Sequence, residues 1–328
     1  MIKNYTKKTY IQAMRIISQS EIRELNISPV NCIEWVRESF SLKERAQLPA
    51  KISLHPQGND FFNTMPCQLP APDNYFGVKI VHRIKGAIPA LGSDLLLYDS
   101  QSGTLLAMLD ADWITTMRTG AVATLAIQTF RKSDTKRYGF LGLGNTGRAT
   151  MLCLLESEPD IMHDVMLLRY KDQAELFIER FKEYSNVSFT ICDDAKEIIS
   201  QSDVIVSCIT EASGLICEDD SLYKEGCLVI PVHTCGFQNC DLFFDKVFAD
   251  DTAHVCGFKY FDRFKQFGEI QDVLAGKIKG RESDKERILS YNIGLGLHDV
   301  LYASKIYKIL KEYSNDIKII RETDKFWI

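Results

Sequence analysis

Apolar positions between Lys136 and Asp250 fall in short unbroken runs, each followed by a stretch with helical spacing. "RYGFLG" predicts a strand and Arg148–Glu156 a helix. "DVMLLR" predicts the next strand, followed by a helix across Gln173–Glu183. "VSFTIC", a helix over Ala195–Ser200, and the runs "DVIVSCI", "CLVIPV" and "KVFAD" continue the series. Runs that are apolar at nearly every residue suit strands covered on both faces. Their alternation with helices predicts a parallel sheet.

The first third of the chain has another rhythm. Pro29–Phe40 predicts a helix, and "FFNTMP", "YFGVKIVHRI", "DLLLYD" and "TLLAMLD" predict strands separated by Pro and Gly turns. "DSQSG" (Asp99–Gly103) predicts a hairpin turn. This is a mixed, mainly antiparallel unit. A long helix follows, from about Asp112 to Arg131, with Asp110, Asp112 and Thr115 as start signals. It predicts a bridge between two domains. A last helical pattern, about Ser283–Tyr313, is long enough to return to the first domain.

"YGFLGLGNTGRATML" places Gly142, Gly144 and Gly147 as G-x-G-x-x-G between a predicted strand and an apolar helix. In that context the motif predicts dinucleotide binding. Gly142 permits the tight turn, Gly144 lets backbone approach a pyrophosphate, and Gly147 lets helix and strand pack closely. The helix start supplies N–H donors to the phosphates. The next strand ends at Arg169, about 20 positions on, where an acid would accept from the ribose 2′-hydroxyl. Arg169 with Lys171 predicts instead that NADPH is used at least as well as NADH. The alternative is a solvated basic turn.

Composition narrows the class. With 328 residues there is room for two cores, and 45% hydrophobic with 25% charged residues is ordinary for a globular protein. A net charge of -5 argues against a general nucleic-acid surface. No apolar run reaches the roughly 18 residues of a membrane span. The opening "MIKNYTKKTYIQAMRIIS" lacks a signal peptide's apolar middle, so a cytoplasmic location is expected. The 10 Cys form no C-x-x-C pair and read as small buried hydrophobes. The six His show no metal-ligand spacing, so no metal is expected.

Several segments together resemble the ornithine cyclodeaminase/mu-crystallin family. They are "NTMP" (Asn63–Pro66), "GVKIV" (Gly77–Val81), "DWITTMRTGAVATLA" (Asp112–Ala126) and the glycine loop. "DVIVSCIT" (Asp203–Thr210), "FGEIQDVLAGKIKGR" (Phe267–Arg281) and "NIGLGLHD" (Asn292–Asp299) complete the set. The resemblance implies an α/β protein with a Rossmann dinucleotide-binding domain inserted after an α+β substrate and dimerisation domain. The first domain would span residues 1–115, completed by about 303–328, and the Rossmann domain 116–302. It also implies a homodimer and hydride transfer between NAD or NADP and the α-carbon of a small amino or imino acid.

Family positions fall on particular residues. Lys79 matches the family's catalytic lysine. Strand alternation sets it on one face with Gly77, Val81 and Arg83, where it could bind carboxylate or exchange protons at an imine nitrogen. The alternative is a solvated strand lysine. Arg118, in the small and apolar "MRTGAVA", matches an arginine that contacts substrate carboxylate and cofactor. Lys51 falls near a carboxylate-binding position, and Ile293 near substrate. The resemblance further implies cofactor contacts from Asn145, Thr146, Ser207, Thr210 and Asn292.

Two departures stand out. Cyclodeaminases carry an aspartate where "PVHTCGFQNCDL" has Cys235, and no acid lies between Pro231 and Asp241. His233 could serve there as proton carrier or be a structural histidine. Ala90 stands where members often have a threonine near the nicotinamide. The expected activity is therefore an imine or ketimine reductase or amino-acid dehydrogenase. Ornithine cyclodeamination is the alternative, and a non-enzymatic dinucleotide-binding protein is the reading from another class.

Overall fold

The computed structural model describes residues 9–312 and 316–323. The chain forms two compact units. One holds the residues up to Asn26, Arg45–Trp113 and those from Asp299 onward, and the other holds Ile27–Glu44 and Ile114–His298. Among the described residues the first elements are β1 (Thr9–Ile17), α1 (Gln19–Glu24) and α2 (Pro29–Leu42). The strands β2 (Ile52–Leu54), β3 (Phe61–Gln68), β4 (Tyr75–Arg83), β5 (Leu91–Asp99) and β6 (Leu105–Asp110) follow. After α3 (Asp112–Phe130) come β7 (Arg137–Leu141), α4 (Asn145–Ser157), β8 (His163–Leu168), α5 (Gln173–Arg180), β9 (Val187–Cys192), α6 (Ala195–Gln201) and β10 (Val204–Ser207). Then come β11 (Leu228–Pro231), α7 (Cys240–Phe243), β12 (Lys246–Ala249), α8 (Thr252–Val255), β13 (Phe267–Glu269), α9 (Ile270–Leu274) and β14 (Ile288–Tyr291). The last elements are α10 (Gly296–Leu310) and β15 (Asp316–Glu322).

The first unit is built on a seven-stranded mixed sheet, ordered β15-β1-β6-β5-β4-β3-β2. Only the β1–β6 pair is parallel. Strand alternation separates two rows that cross this sheet. Ile17, Leu109, Leu95, Lys79 and Met65 pair across five strands and are all buried. Burial of each apolar side chain in that row contributes roughly 1.5–3 kcal/mol. One position over, Ile16, Met108, Leu96, Val78 and Pro66 form the opposite row. There Ile16 and Met108 are exposed and the other three are half-buried. The part of α10 from Asp299 onward packs on the inner face. A Cβ on Gly77 would lie 2.7 Å from a Val300 methyl, so α10 needs glycine at that crossing. Trp113 and Tyr302 rings meet beside it, 6.5 Å between centroids.

The second unit is a Rossmann fold, an eight-stranded sheet ordered β13-β12-β14-β11-β10-β7-β8-β9 with every neighbouring pair parallel. The order reverses between β7 and β10, the switch point where such sheets take ligands. β10, β11, β12 and β14 are buried at every residue, as apolar runs covered on both faces should be. α3 is buried at most of its positions and lies directly on α4: a Cβ on Gly120 would be 2.5 Å from the Ala149 backbone. Eight of the ten cysteines are buried.

Two expectations need correction. The helical pattern over Ser283–Tyr313 is not one helix. Ile288–Tyr291 enters the parallel sheet as β14, and the helix starts only at Gly296. Gly294 has φ +89°, so the backbone turns there before α10. Residues 27–44 also group with the second unit, because α2 packs on α4 rather than on the strands that follow it in sequence.

Candidate active site

In the first unit, parity puts Gly77, Lys79 and Val81 on the buried face of β4, with Arg83 half-buried at its end. Lys79 is the only charged member of an otherwise apolar row. Its Nζ lies 2.8 Å from Oδ1 of Asp299 on α10, and both side chains are fully buried. Burying two charges is costly unless each compensates the other, so the pair stands or falls together. Cys67, two residues from Met65 on β3, lies beside it; burial, and then the Asp299 charge, push its thiol up to about 12. Lys51 is half-buried immediately before β2.

In the second unit, the glycine loop joins β7 to α4. A Cβ on Gly142 would be 2.5 Å from the Cys208 carbonyl carbon, and its φ is +89°. A Cβ on Gly147 would be 2.5 Å from the Gly142 carbonyl oxygen. Gly144 has open space at its Cβ position. It caps α4 without any side-chain hydrogen bond, so no cap side chain takes up the first-turn amides, which include those of Asn145 and Thr146. Ser207 ends β10 alongside Leu141; its Oγ is buried and has no hydrogen-bond partner among the described residues. Thr210 is exposed three residues on.

Arg118 is buried on α3, and its Nη1 would be 1.8 Å from a Cβ on Gly294. The guanidinium therefore lies on the turn Asn292–Ile293–Gly294 that leaves β14. Asp250, at the end of β12, fixes this turn by accepting the Gly294 N–H at 2.5 Å. Burial would raise the Asp250 carboxyl, but His254, the Gly294 amide and His298 together hold it below its ordinary value. Lys43, just past α2, donates to the Asp250 carbonyl at 2.9 Å and to Glu269 at 2.6 Å. Asn292 is buried, and its Nδ2 has no hydrogen-bond partner among the described residues. Ile293 packs on the core of the second unit.

The turn after β11 carries His233, exposed, and Cys235, half-buried. The Cys235 thiol donates to the His233 carbonyl at 3.2 Å, and burial raises its pKa. The next acid, Asp241, is buried and accepts from the Tyr291 hydroxyl at 2.7 Å. Burial raises its carboxyl to about 6, although the tyrosine bond opposes this. Asp241 is thus a core carboxyl, not a substitute for the acid missing from the turn.

Arg169, just past β8, is exposed and already engaged. Its Nε donates to Asp193 at 2.8 Å and its Nη1 to Glu175. Those hydrogen bonds, Glu175 first, raise its pKa. Lys171, also exposed, has φ +53° and lies over the Tyr170 ring at 5.3 Å. Sequence reading found this basic tip but not its two acids. It also passed over Asp299 and Asp250. The quoted "NIGLGLHD" and "KVFAD" contained both, yet nothing local marks a carboxylate as the partner of a distant lysine or amide.

A Rossmann sheet with a dinucleotide-type glycine loop, in one chain with a mixed sheet that buries a lysine–aspartate pair, defines a class of two-unit dinucleotide-fold proteins. The chain belongs to the ornithine cyclodeaminase/mu-crystallin family, whose model matches residues 12–314. It is 25% identical over 318 residues to the nodulation efficiency protein NfeD of Rhizobium meliloti, covering 92% of this chain and 97% of that one. Two solved structures share the fold. The Thermococcus litoralis Δ1-pyrroline-2-carboxylate reductase, solved with NADH and L-proline, has a TM-score of 0.81 at 22% identity, covering 93% of this chain and all of its own. An archaeal alanine dehydrogenase dimer with bound NAD has a TM-score of 0.78 at 23% identity, covering 94% and 99%.

Proposed function

We propose that the protein is an NAD(P)-dependent reductase of a small imine or ketimine acid, run in reverse as an amino-acid dehydrogenase. The residues fit a dinucleotide. Gly144 leaves open space at the loop, the first-turn amides of α4 have no capping side chain, and Asn292 Nδ2 is a buried donor lacking a partner. Gly142, Gly144, Asn145, Thr146 and Gly147 would hold the pyrophosphate, with Ser207, Thr210 and Asn292 toward the nicotinamide. Bound there, the nicotinamide supplies or accepts hydride. In the second unit Arg118 would bind the substrate carboxylate and Ile293 would contact substrate; for Lys51 of the first unit the family resemblance supports a carboxylate-binding role. Lys79 exchanges the proton at the imine nitrogen, and Asp299 holds the ammonium on the inner face.

The observation that carries reduction over cyclodeamination is the turn after β11. It has Cys235 where the ring-closing mechanism uses an acid, and Asp241 is committed to Tyr291. His233 is the imidazole of that turn and the candidate proton carrier there. Purified protein is expected to oxidise NADH or NADPH with pyrroline-2-carboxylate or a related ketimine. It should release neither proline nor ammonia from ornithine. Proline plus ammonia with catalytic NAD would make it a cyclodeaminase. Tight dinucleotide binding without turnover of any amino or imino acid would make it a binding protein.

Cofactor choice turns on Arg169. Exposed ion pairs contribute little, so a 2′-phosphate can displace Glu175 and Asp193, which themselves suit a free ribose. NADPH is expected to be used at least as well as NADH, read as the ratio of kcat/KM for the two cofactors, and a preference for NADH of about tenfold or more would overturn this. Arg169→Asp should move the ratio toward NADH, and Asp193→Asn toward NADPH. A ratio unmoved by either variant would remove this tip from the cofactor site.

The outer row of the mixed sheet supports a homodimer. Ile16 and Met108 are exposed beside half-buried Leu96, Val78 and Pro66, and contiguous apolar surface of this kind marks an interface. Met108→Lys is expected to give a monomer in light scattering while the far-ultraviolet circular dichroism stays unchanged. A variant that remains dimeric would place the interface elsewhere.

A further inference from the structure

A cavity of about 310 Å³ opens in the second unit among α3, α4 and the end of α5. Arg148 and Arg180 line it together with Met117, Leu152, Phe181 and Tyr184. The two guanidiniums face the same space, and no carboxylate lines it among the described residues. Arg148 Nε is buried and has no hydrogen-bond partner among the described residues. The nearby carboxylate, Glu156, instead accepts from the Tyr184 hydroxyl at 2.6 Å. Burial, and then the charge of Arg180, lower the Arg148 pKa.

Such a pair is complementary to an oxyanion, because each planar fork can donate two parallel hydrogen bonds. The remaining walls, Met117, Leu152 and Phe181, are apolar. The volume is at the small end for ligand pockets, enough for a head group with a ring or short chain and too little for a dinucleotide. We propose that this cavity is a binding site for a small organic oxyanion, with a phosphate or carboxylate between Arg148 and Arg180 and an apolar body against Phe181. Asn145 lines both this cavity and the glycine loop, so occupancy would be felt at the start of α4.

Phenyl phosphate, benzoate and inorganic phosphate, titrated calorimetrically into the full-length protein against chloride at matched ionic strength, test the site. Saturable one-to-one binding of an aromatic anion, tighter than that of inorganic phosphate, is expected. The phosphate and benzoate arms decide which head group is preferred. Arg180→Gln and Arg148→Gln should each weaken it about tenfold or more, the loss of a charge-assisted contact. Arg180 is exposed, so its variant will fold even if Arg148→Gln does not. NADH affinity, followed by nicotinamide fluorescence, should be unchanged in Arg180→Gln. No saturable binding would overturn the proposal, as would binding insensitive to Arg180→Gln. Binding competed stoichiometrically by NADH would overturn it by assigning the cavity to the dinucleotide. The reductase reading stands under all of these outcomes, since none of them measures turnover.

Discussion

Lys79→Met is expected to abolish turnover and also to destabilise the fold, and the two losses should be separable. The substitution keeps the length of the side chain in the inner row but takes the ammonium away from the Asp299 carboxylate, which is fully buried. Removing one member of a buried ion pair costs about 3–5 kcal/mol. Adding Asp299→Asn removes the charge and should recover most of that loss in urea unfolding. Turnover should not return in the double variant, and NADH affinity should be close to wild type in both, because Lys79 and the glycine loop belong to different units. Activity in the double variant would show that Lys79 is only structural. Full stability in Lys79→Met alone would show that the ion pair does not need both members.

The second large effect divides the glycine loop. In Gly142→Ala the new methyl would meet the Cys208 backbone at 2.5 Å, and the backbone would be held at φ +89°. Overpacking costs about 1–3 kcal/mol and the strained backbone a similar amount. The variant should lose several °C of melting temperature and its NADH binding. In Gly144→Ala the methyl meets nothing within 4 Å, so stability should not change. The same methyl would occupy the space through which a pyrophosphate approaches, and NADH affinity should fall by about tenfold or more. Equal NADH affinity in Gly144→Ala and wild type would move the phosphates away from this loop.

These contrasts follow what local sequence can carry. β7, β10, β11 and β12 were legible because burial on both faces demands unbroken apolar runs, and no competing pattern is that dense. The glycine loop was legible because its constraints act within six residues. Lys79 could be placed on the face of Gly77 and Val81 from alternation alone. Its partner Asp299, 220 positions away, could not, since only the folded sheet and α10 bring them together. β14 was lost inside a helical pattern because "ILSY" is too short to show a period, and the two glycines after it were not read as punctuation. Arg169 was read as a bare cation, since the acids that hold it are set by the ends of β8 and β9 and the start of α5.

The alternation along β4 ties chemistry to assembly. Inserting or deleting one residue between Tyr75 and Lys79 would export the amine to the opposite surface and bring Val78 or Ile80 against Asp299. Both rows would be scrambled by that single event. A two-residue change would preserve parity and merely slide the lysine along the same side. Length variation in this strand should therefore be resisted in odd steps by parity and in even steps by the loss of the Lys79–Asp299 contact, since two residues shift the amine about 6–7 Å along the strand, which makes the hairpins on either side the places where the chain can grow.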